Sequence, residues 1–320
     1  MKTTKRIGLI LTSFVLASAV LITSCKKKET EDLDKDSSAA SDNNTAEWVA
    51  TDAVTMAGQA SESGSVSYKG SDPNTILSSC ATVSTSTASP QSFTVTFGGG
   101  LCNDGHVRSG ALIFDYSQST SGALYYRHPG FKCLISSSNY VVDLHQVALT
   151  HTVTNTTAAG FDPNVTNLTW SIGGDVTIVK PNSGGTLSWH CARTKTLLNT
   201  KAITYGGNAI VASYVDANTV IDWAKAVVSF SGTANGLTAK GESYSFSTTS
   251  PLVVNMNCTP DVNKPGRHPI VEGAFDFTPG NKGKRHVDFG NPNGGCDFDC
   301  WVTIYTTGGT PYGPIKVTLQ

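Results

Sequence analysis

Apolar and polar positions divide the chain into four stretches. Ile7 to Ile22 is an apolar run diluted only by Gly8, Thr12, Ser13 and Ser18, with Lys2, Lys5 and Arg6 before it and the small residues Thr23 and Ser24 after it. At 16 residues it falls short of the roughly 20 that a spanning helix needs, and its flanks predict a secretion signal over residues 1–24 that is cleaved before Cys25. Lys26 to Thr45 is hydrophilic. It offers too little apolar area to offset the entropy of ordering, which predicts a disordered tether over 25–45. Val49, Ala53, Met56, Ala57 and Ala60 then recur at helical spacing before Gly64, predicting one short amphipathic helix over 46–64. From residue 65 the period switches to two. Leu112, Phe114 and Tyr116 share one strand face, Val176 and Ile178 another, and Ile315, Val317 and Leu319 alternate with Lys316, Thr318 and Gln320. Gly-rich and Asn-rich turns such as Asn103-Asp104-Gly105, Pro129-Gly130 and Ser183-Gly184-Gly185 separate these runs. Val220 to Val227 is the only other helical candidate. The expected class is all-β, with antiparallel sheets in a sandwich-like body over 65–320 and a boundary near residue 200 if the body has two lobes.

An internal echo organises the cysteines. Val95-x-Phe97-Gly98 runs to Cys102-Asn103, and Val287-x-Phe289-Gly290 runs to Cys296-Asp297; Cys80 precedes the first unit and Cys258 the second. This parallel placement predicts a disulfide inside each unit, Cys80 with Cys102 and Cys258 with Cys296. Eight cysteines in an exported chain point to an oxidising compartment. Setting Cys25 aside leaves an odd number, so Cys133 and Cys191 are the candidate third pair and Cys300 the candidate free thiol.

Charged residues make up only 15% of the chain, and the formal net charge of −1 becomes about −4 without the three basic residues of the leader. Such a weak field gives no argument for nucleic acid. Ile22-Thr23-Ser24-Cys25 resembles the lipobox of bacterial lipoproteins, which implies a diacylglyceryl thioether on Cys25 and an acylated amino terminus. Two or three acyl chains on one residue meet the requirement for stable membrane anchoring. The basic and then acidic run Lys26 to Asp36 is similar to the export tether of Bacteroidota lipoproteins. Cys80 to Val83, Val95 to Gly105, Arg108 to Ile113, Tyr126 to Gly130, Thr186 to Thr196, Thr248 to Cys258 and Asp288 to Gln320 together resemble a family of exported Bacteroidota lipoproteins with no assigned activity. The resemblance implies an architecture and a place on the outer membrane, facing the cell surface or the periplasm. Cys300-Trp301 departs from that pattern, where a small residue and Thr are expected.

Candidate chemistry is sparse. The body over 65–320 contains no G-x-S-x-G, P-loop, H-E-x-x-H or C-x-x-C pattern, so neither metal nor cofactor is expected and the protein is read as a non-enzyme. Asp297 and Asp299 would share a strand face, the minimum for an acid and base pair. The histidines His106, His128, His145, His151, His190, His268 and His286 are scattered and read as surface or half-buried. Trp170, Trp189, Trp223, Trp301, Tyr125 and Tyr126 are the candidates for an aromatic platform that stacks on a glycan. The expected function is a lipid-anchored structural or ligand-binding module, with a glycan or a surface protein as partner and the membrane engaged through Cys25. The alternatives are glycan binding in a polysaccharide-uptake system and a hydrolase whose nucleophile and base meet only in space.

Overall fold

A computed structural model describes residues 37–62, 80–86, 91–102, 105–120, 123, 126–158, 167–198, 203–205, 208–210, 226–256, 258, 269–290 and 295–318. Cys25, Trp223, Tyr125, Asn103, Asp104 and most of Val220 to Val227 lie outside them. Helix α1 (Ser38–Glu62) comes first, followed by β1 (Ala81–Ser86), β2 (Ser92–Leu101), β3 (Val107–Asp115), β4 (Lys132–Val142), β5 (His145–Asn155), β6 (Leu168–Val179) and β7 (Thr186–Leu197). Two short strands, β8 (Ile203–Tyr205) and β9 (Asn208–Ile210), pair only with each other. The main sheet resumes with β10 (Val227–Leu237), β11 (Ser243–Asn255), β12 (Ile270–Pro279), β13 (Arg285–Asp288), β14 (Asp299–Tyr305) and β15 (Pro311–Thr318).

The fold is all-β and antiparallel, built as one 13-stranded sheet whose spatial order follows the chain. It takes the place of two packed sheets, and β7 pairs directly with β10 from Leu197↔Val228 to Ser188↔Leu237, so the sheet has no break near residue 200. Period-two burial runs through it: Phe93, Val95 and Phe97 in β2, Val147, Leu149, His151 and Val153 in β5, and Leu187, Trp189, Cys191 and Arg193 in β7 all turn inward. One extra residue in β4 re-phases that strand. Between Ser109↔Val141 and Ala111↔Ser138 the register shifts at Asn139, whose φ is 49°, and the inward set changes from Cys133 and Ile135 to Tyr140 and Val142. Gly110 lies opposite with φ 81°, and a Cβ there would meet the Asn139 carbonyl at 2.1 Å. Only glycine fits this crossing.

The sheet curls around the helix. Helix α1 touches β4, β5, β6, β7 and also β12, and β4 and β12 are six strand intervals apart in the sheet, about 29 Å if flat. A helix is only about 10–12 Å across, so the wall must bend to reach it from both sides. Burial agrees: from Ala39 to Gly58 only Asn44, Thr51 and Thr55 are exposed, positions within about 40° of one another around the axis. The helix also starts earlier than its sequence suggests. Ser38 to Thr45, expected in the tether, is helical because the wall holds it: Asp42 accepts from Lys180 and from the Ala239 amide, and Trp189 Nε1 donates to Asn43 Oδ1 at 3.1 Å.

Asp42, Glu47 and Asp52 follow at five-residue spacing, about 140° apart around the axis, and each meets a cation of the wall. Lys180 pairs with Asp42, Arg193 with Glu47, and Arg108 with Asp52 at 2.9 Å. The extra residue in β4 matters here, since it turns Tyr140 inward to accept from Arg108 Nε at 3.2 Å. Burial holds the Glu47 carboxyl above its ordinary range even with Arg193 opposing the shift.

Candidate functional site

The expected disulfides form in both echo units, Cys80 with Cys102 and Cys258 with Cys296, at Cα separations of 4.9 and 5.4 Å. The third pair does not form. Cys133 and Cys191 are both buried free thiols, because β5 and β6 stand between their strands in the sheet, roughly 14 Å of hydrogen-bonded spacing where a disulfide spans less than 7 Å. Cys300 is free and buried, and burial raises its pKa to about 11.

Most of the expected aromatic platform lies in the core. Trp170, Trp189 and Tyr126 are 0, 2 and 1% exposed, with Tyr126 stacked on Trp170 at 4.9 Å and Trp170 Nε1 donating to the Tyr126 carbonyl at 2.8 Å. They are closed to any sugar. Period-two alternation explains their place: each sits on a strand or loop position that turns toward the helix, where a large ring fills the space between helix and wall.

Trp301 is different, being 44% exposed. Strand alternation puts it on the outer face of β14 with Asp299, while Cys300 between them turns inward. The ladder sets Lys316 opposite Trp301 and Thr318 opposite Asp299. Lys316 Nζ and Thr318 Oγ1 donate to Asp299 at 2.7 and 2.6 Å. The Lys316 bond, then the Thr318 bond, hold the Asp299 carboxyl below its ordinary value, so it is a fixed anion. Asp297 Oδ1 accepts from the Asp299 amide at 3.0 Å. These two carboxylates therefore do not form a proton-sharing pair; one is committed to an ion pair and the other to a turn. Ile270, Phe289, Gly290 and Gly295 complete a depression of about 200 Å³, and the Cys258–Cys296 bridge fixes the lip between Gly295 and Asp297. An aromatic shelf edged by an ionised carboxylate and an ammonium can stack on a ring and bond its hydroxyls.

Sequence reasoning missed one buried contact. His151, expected at or near the surface, is 0% exposed, and its Nε2 lies 3.8 Å from Cys191 Sγ. Two residues that were 40 apart meet through the β5, β6 and β7 ladders, and no local pattern marks them. A nucleophile and a base are thus in contact, but burial first of all drives the Cys191 thiol up to about 12 and the His151 imidazole down to about 4. The proton stays on sulfur, and the thiolate that attack requires is not formed. His151 Nδ1 has no hydrogen-bond partner among the described residues. Its lowered pKa fixes a sign: between about pH 4 and 6.5 the unfolded chain binds the proton and the folded one does not, so stability rises with pH across that window and is lost as pH falls. We expect a loss on the order of 2–3 kcal/mol from pH 7 to pH 4, with Glu47 contributing in the opposite sense. Urea denaturation against pH should show His151→Leu flattening that slope; an unchanged slope would locate the acid sensitivity elsewhere.

The fold and this shelf define the chain as an all-β protein with a single curled sheet around a central helix and an aromatic depression at Trp301. No protein-family model matches it, and neither curated proteins nor solved structures give a match.

Proposed function

We propose that the protein is an exported binding module, tethered through lipid on Cys25, that holds a glycan on the Trp301 shelf and performs no chemistry on it. The observation that carries this reading is Trp301, an exposed ring flanked by the Asp299–Lys316 pair on a disulfide-braced lip. The lipid reading is supported by the order of basic, apolar and small residues before Cys25. A hydrolase reading draws support only from the Cys191–His151 contact, whose protonation opposes it.

Affinity gels cast with a panel of soluble polysaccharides test the binding. At least one should retard the wild-type protein, and Trp301→Ala should weaken that binding roughly 10-fold or more, the scale of a central aromatic anchor. No retardation by any polysaccharide, or retardation indifferent to Trp301, would remove the glycan reading. Metabolic labelling with an alkyne fatty acid should mark the wild type and leave Cys25→Ser unmarked.

A further inference from the structure

The two rims of the curled sheet are unlike. One carries long connections, including 116–131, 156–167 and 256–269, and the Trp301 shelf. The other carries only short ones: residues 102–106, 143–144, 180–185, 238–242, 280–284 and 306–310. Seven large hydrophobic side chains are exposed among the described residues, and five belong to the short-turn rim. Leu101 and Val107 form the last rung of β2 and β3, Leu144 is at the tip between β4 and β5, Val179 ends β6, and Leu237 ends β10. Leu144 and Leu101 are 74 and 63% exposed. These residues come from four consecutive hairpins of the sheet, so they line one arc.

The helix begins inside that arc. Asp42 is held by Lys180 and Ala239, which lie in the β6–β7 and β10–β11 turns, and Lys240 Nζ approaches Ser38 Oγ at 3.5 Å. The chain therefore enters the body at the short-turn rim. From Cys25 to Ser37 there are twelve residue steps, which reach at most about 43 Å in any conformation. A lipid on Cys25 therefore holds this rim, where the helix begins, within about 43 Å of the bilayer.

We propose that the short-turn rim is a lipid-docking surface, in which Leu101, Val107, Leu144, Val179 and Leu237 enter the interfacial layer of the membrane that carries the anchor. Aliphatic tips at water-exposed turns gain from removal into that layer. The attraction is mainly apolar, since three of the four lysines of the same turns face carboxylates: Lys180 meets Asp42, Lys282 meets Glu242 at 4.0 Å and Lys284 meets Asp276 at 2.8 Å, while Lys240 approaches the Ser38 hydroxyl. Docking holds the body upright, with Trp301 pointing away from the membrane. The proposal rests on the lipid reading of Cys25, because the tether supplies the local concentration that makes a small apolar rim effective.

Single cysteines at Leu144, at Leu237 and, as the far-rim control, at Ser117 would be labelled with an environment-sensitive fluorophore in the full chain. The protein would be reconstituted into phosphatidylethanolamine and phosphatidylglycerol vesicles with and without doxyl-lipid quenchers, and flotation would report the anchor separately. The expected result is flotation together with quenching of the two rim labels by half or more and none at Ser117. Leu101→Asp with Val179→Asp should then relieve the quenching at Leu144 while flotation persists. Flotation with all three labels unquenched overturns the docking surface and leaves the anchor standing. Rim labels shielded from aqueous iodide yet untouched by doxyl lipid also overturn it, in favour of a protein partner. Rim quenching on added vesicles by a chain that carries no lipid upholds the surface and overturns the anchor; neither flotation nor quenching overturns both.

Discussion

Asp52→Ala is expected to cost about 3–5 kcal/mol, the penalty for leaving one partner of a buried ion pair behind. Arg108 is 0% exposed, and Asp52 Oδ2 takes its Nη2 proton at 2.9 Å. The charge pairing of Arg108 with Asp52 is what is lost, and the neutral Tyr140 hydroxyl that accepts from Arg108 Nε at 3.2 Å does not replace a carboxylate beside a buried charge. The compensating double replacement, Asp52→Leu with Arg108→Met, should recover most of the loss, since apolar groups of similar volume often match or exceed a buried pair. Lys284→Ala is the exposed control: its partner Asp276 lies 2.8 Å away but Lys284 is 42% exposed, so solvent screens the pair and little or no stability should be lost. Urea midpoints of the four proteins decide the matter. A loss below 1 kcal/mol for Asp52→Ala would mean that water reaches Arg108 and that the wall does not enclose the helix.

Replacing Cys258 and Cys296 together by alanine should destabilise the protein by about 4 kcal/mol, against about 3 kcal/mol for Cys80 with Cys102, because the first bridge closes 38 residues of separation and the second 22. The larger effect also has a local component. Cys258 packs with Val227, Val253 and Val271 in a small cluster apart from the main core, and Cys296 holds the lip of the Trp301 depression. The double variant should therefore lose glycan retardation before it loses the sheet, and near-ultraviolet circular dichroism of Trp301 should weaken at temperatures where far-ultraviolet signal persists. Thiol titration gives an independent check. The folded, unreduced body should react with no thiol reagent, and on denaturation Cys133, Cys191 and Cys300 should appear. One thiol in place of three would mean that Cys133 and Cys191 had been linked after all.

The strands were legible where apolar and polar residues alternate between turns rich in Gly, Asn or Pro. Leu112 and Phe114 in β3 and Val176 and Ile178 in β6 are buried as their spacing requires. The disulfides were legible for a different reason: two copies of one local unit carry their own partner cysteines. The start of the helix was not, since Asp42, Glu47 and Asp52 point in three directions and break the one-sided pattern by which an amphipathic helix is recognised. That pattern assumes a single buried face, and this helix is walled nearly all round. Cys133 with Cys191 failed because sequence parity says nothing of how many strands lie between two positions. Trp301 stood in the Cys296 to Trp301 cluster, the densest in the sequence, but its value as a shelf depends on Lys316 and Thr318, which reach it only through the β14–β15 register. Trp170 and Trp189 illustrate the reverse, where residue type suggested a surface role and the phase of the strand decided for the core.

The wall is a meander in which every strand of the main sheet pairs with the strands that precede and follow it in that sheet. As the chain folds from its N-terminal end, then, β2 can join β1 and β3 can join β2 in turn, and the longest wait among these strands is that of β7 for β10. The helix waits longer. It is the first described element made, yet its acids find Arg108 only when β3 exists, Lys180 and Arg193 only after β6 and β7, and its far side only when β12 has been added. A chain cut before β12 would thus keep a half-wrapped helix with one flank wet, a flank that closes only with the tenth strand of the wall.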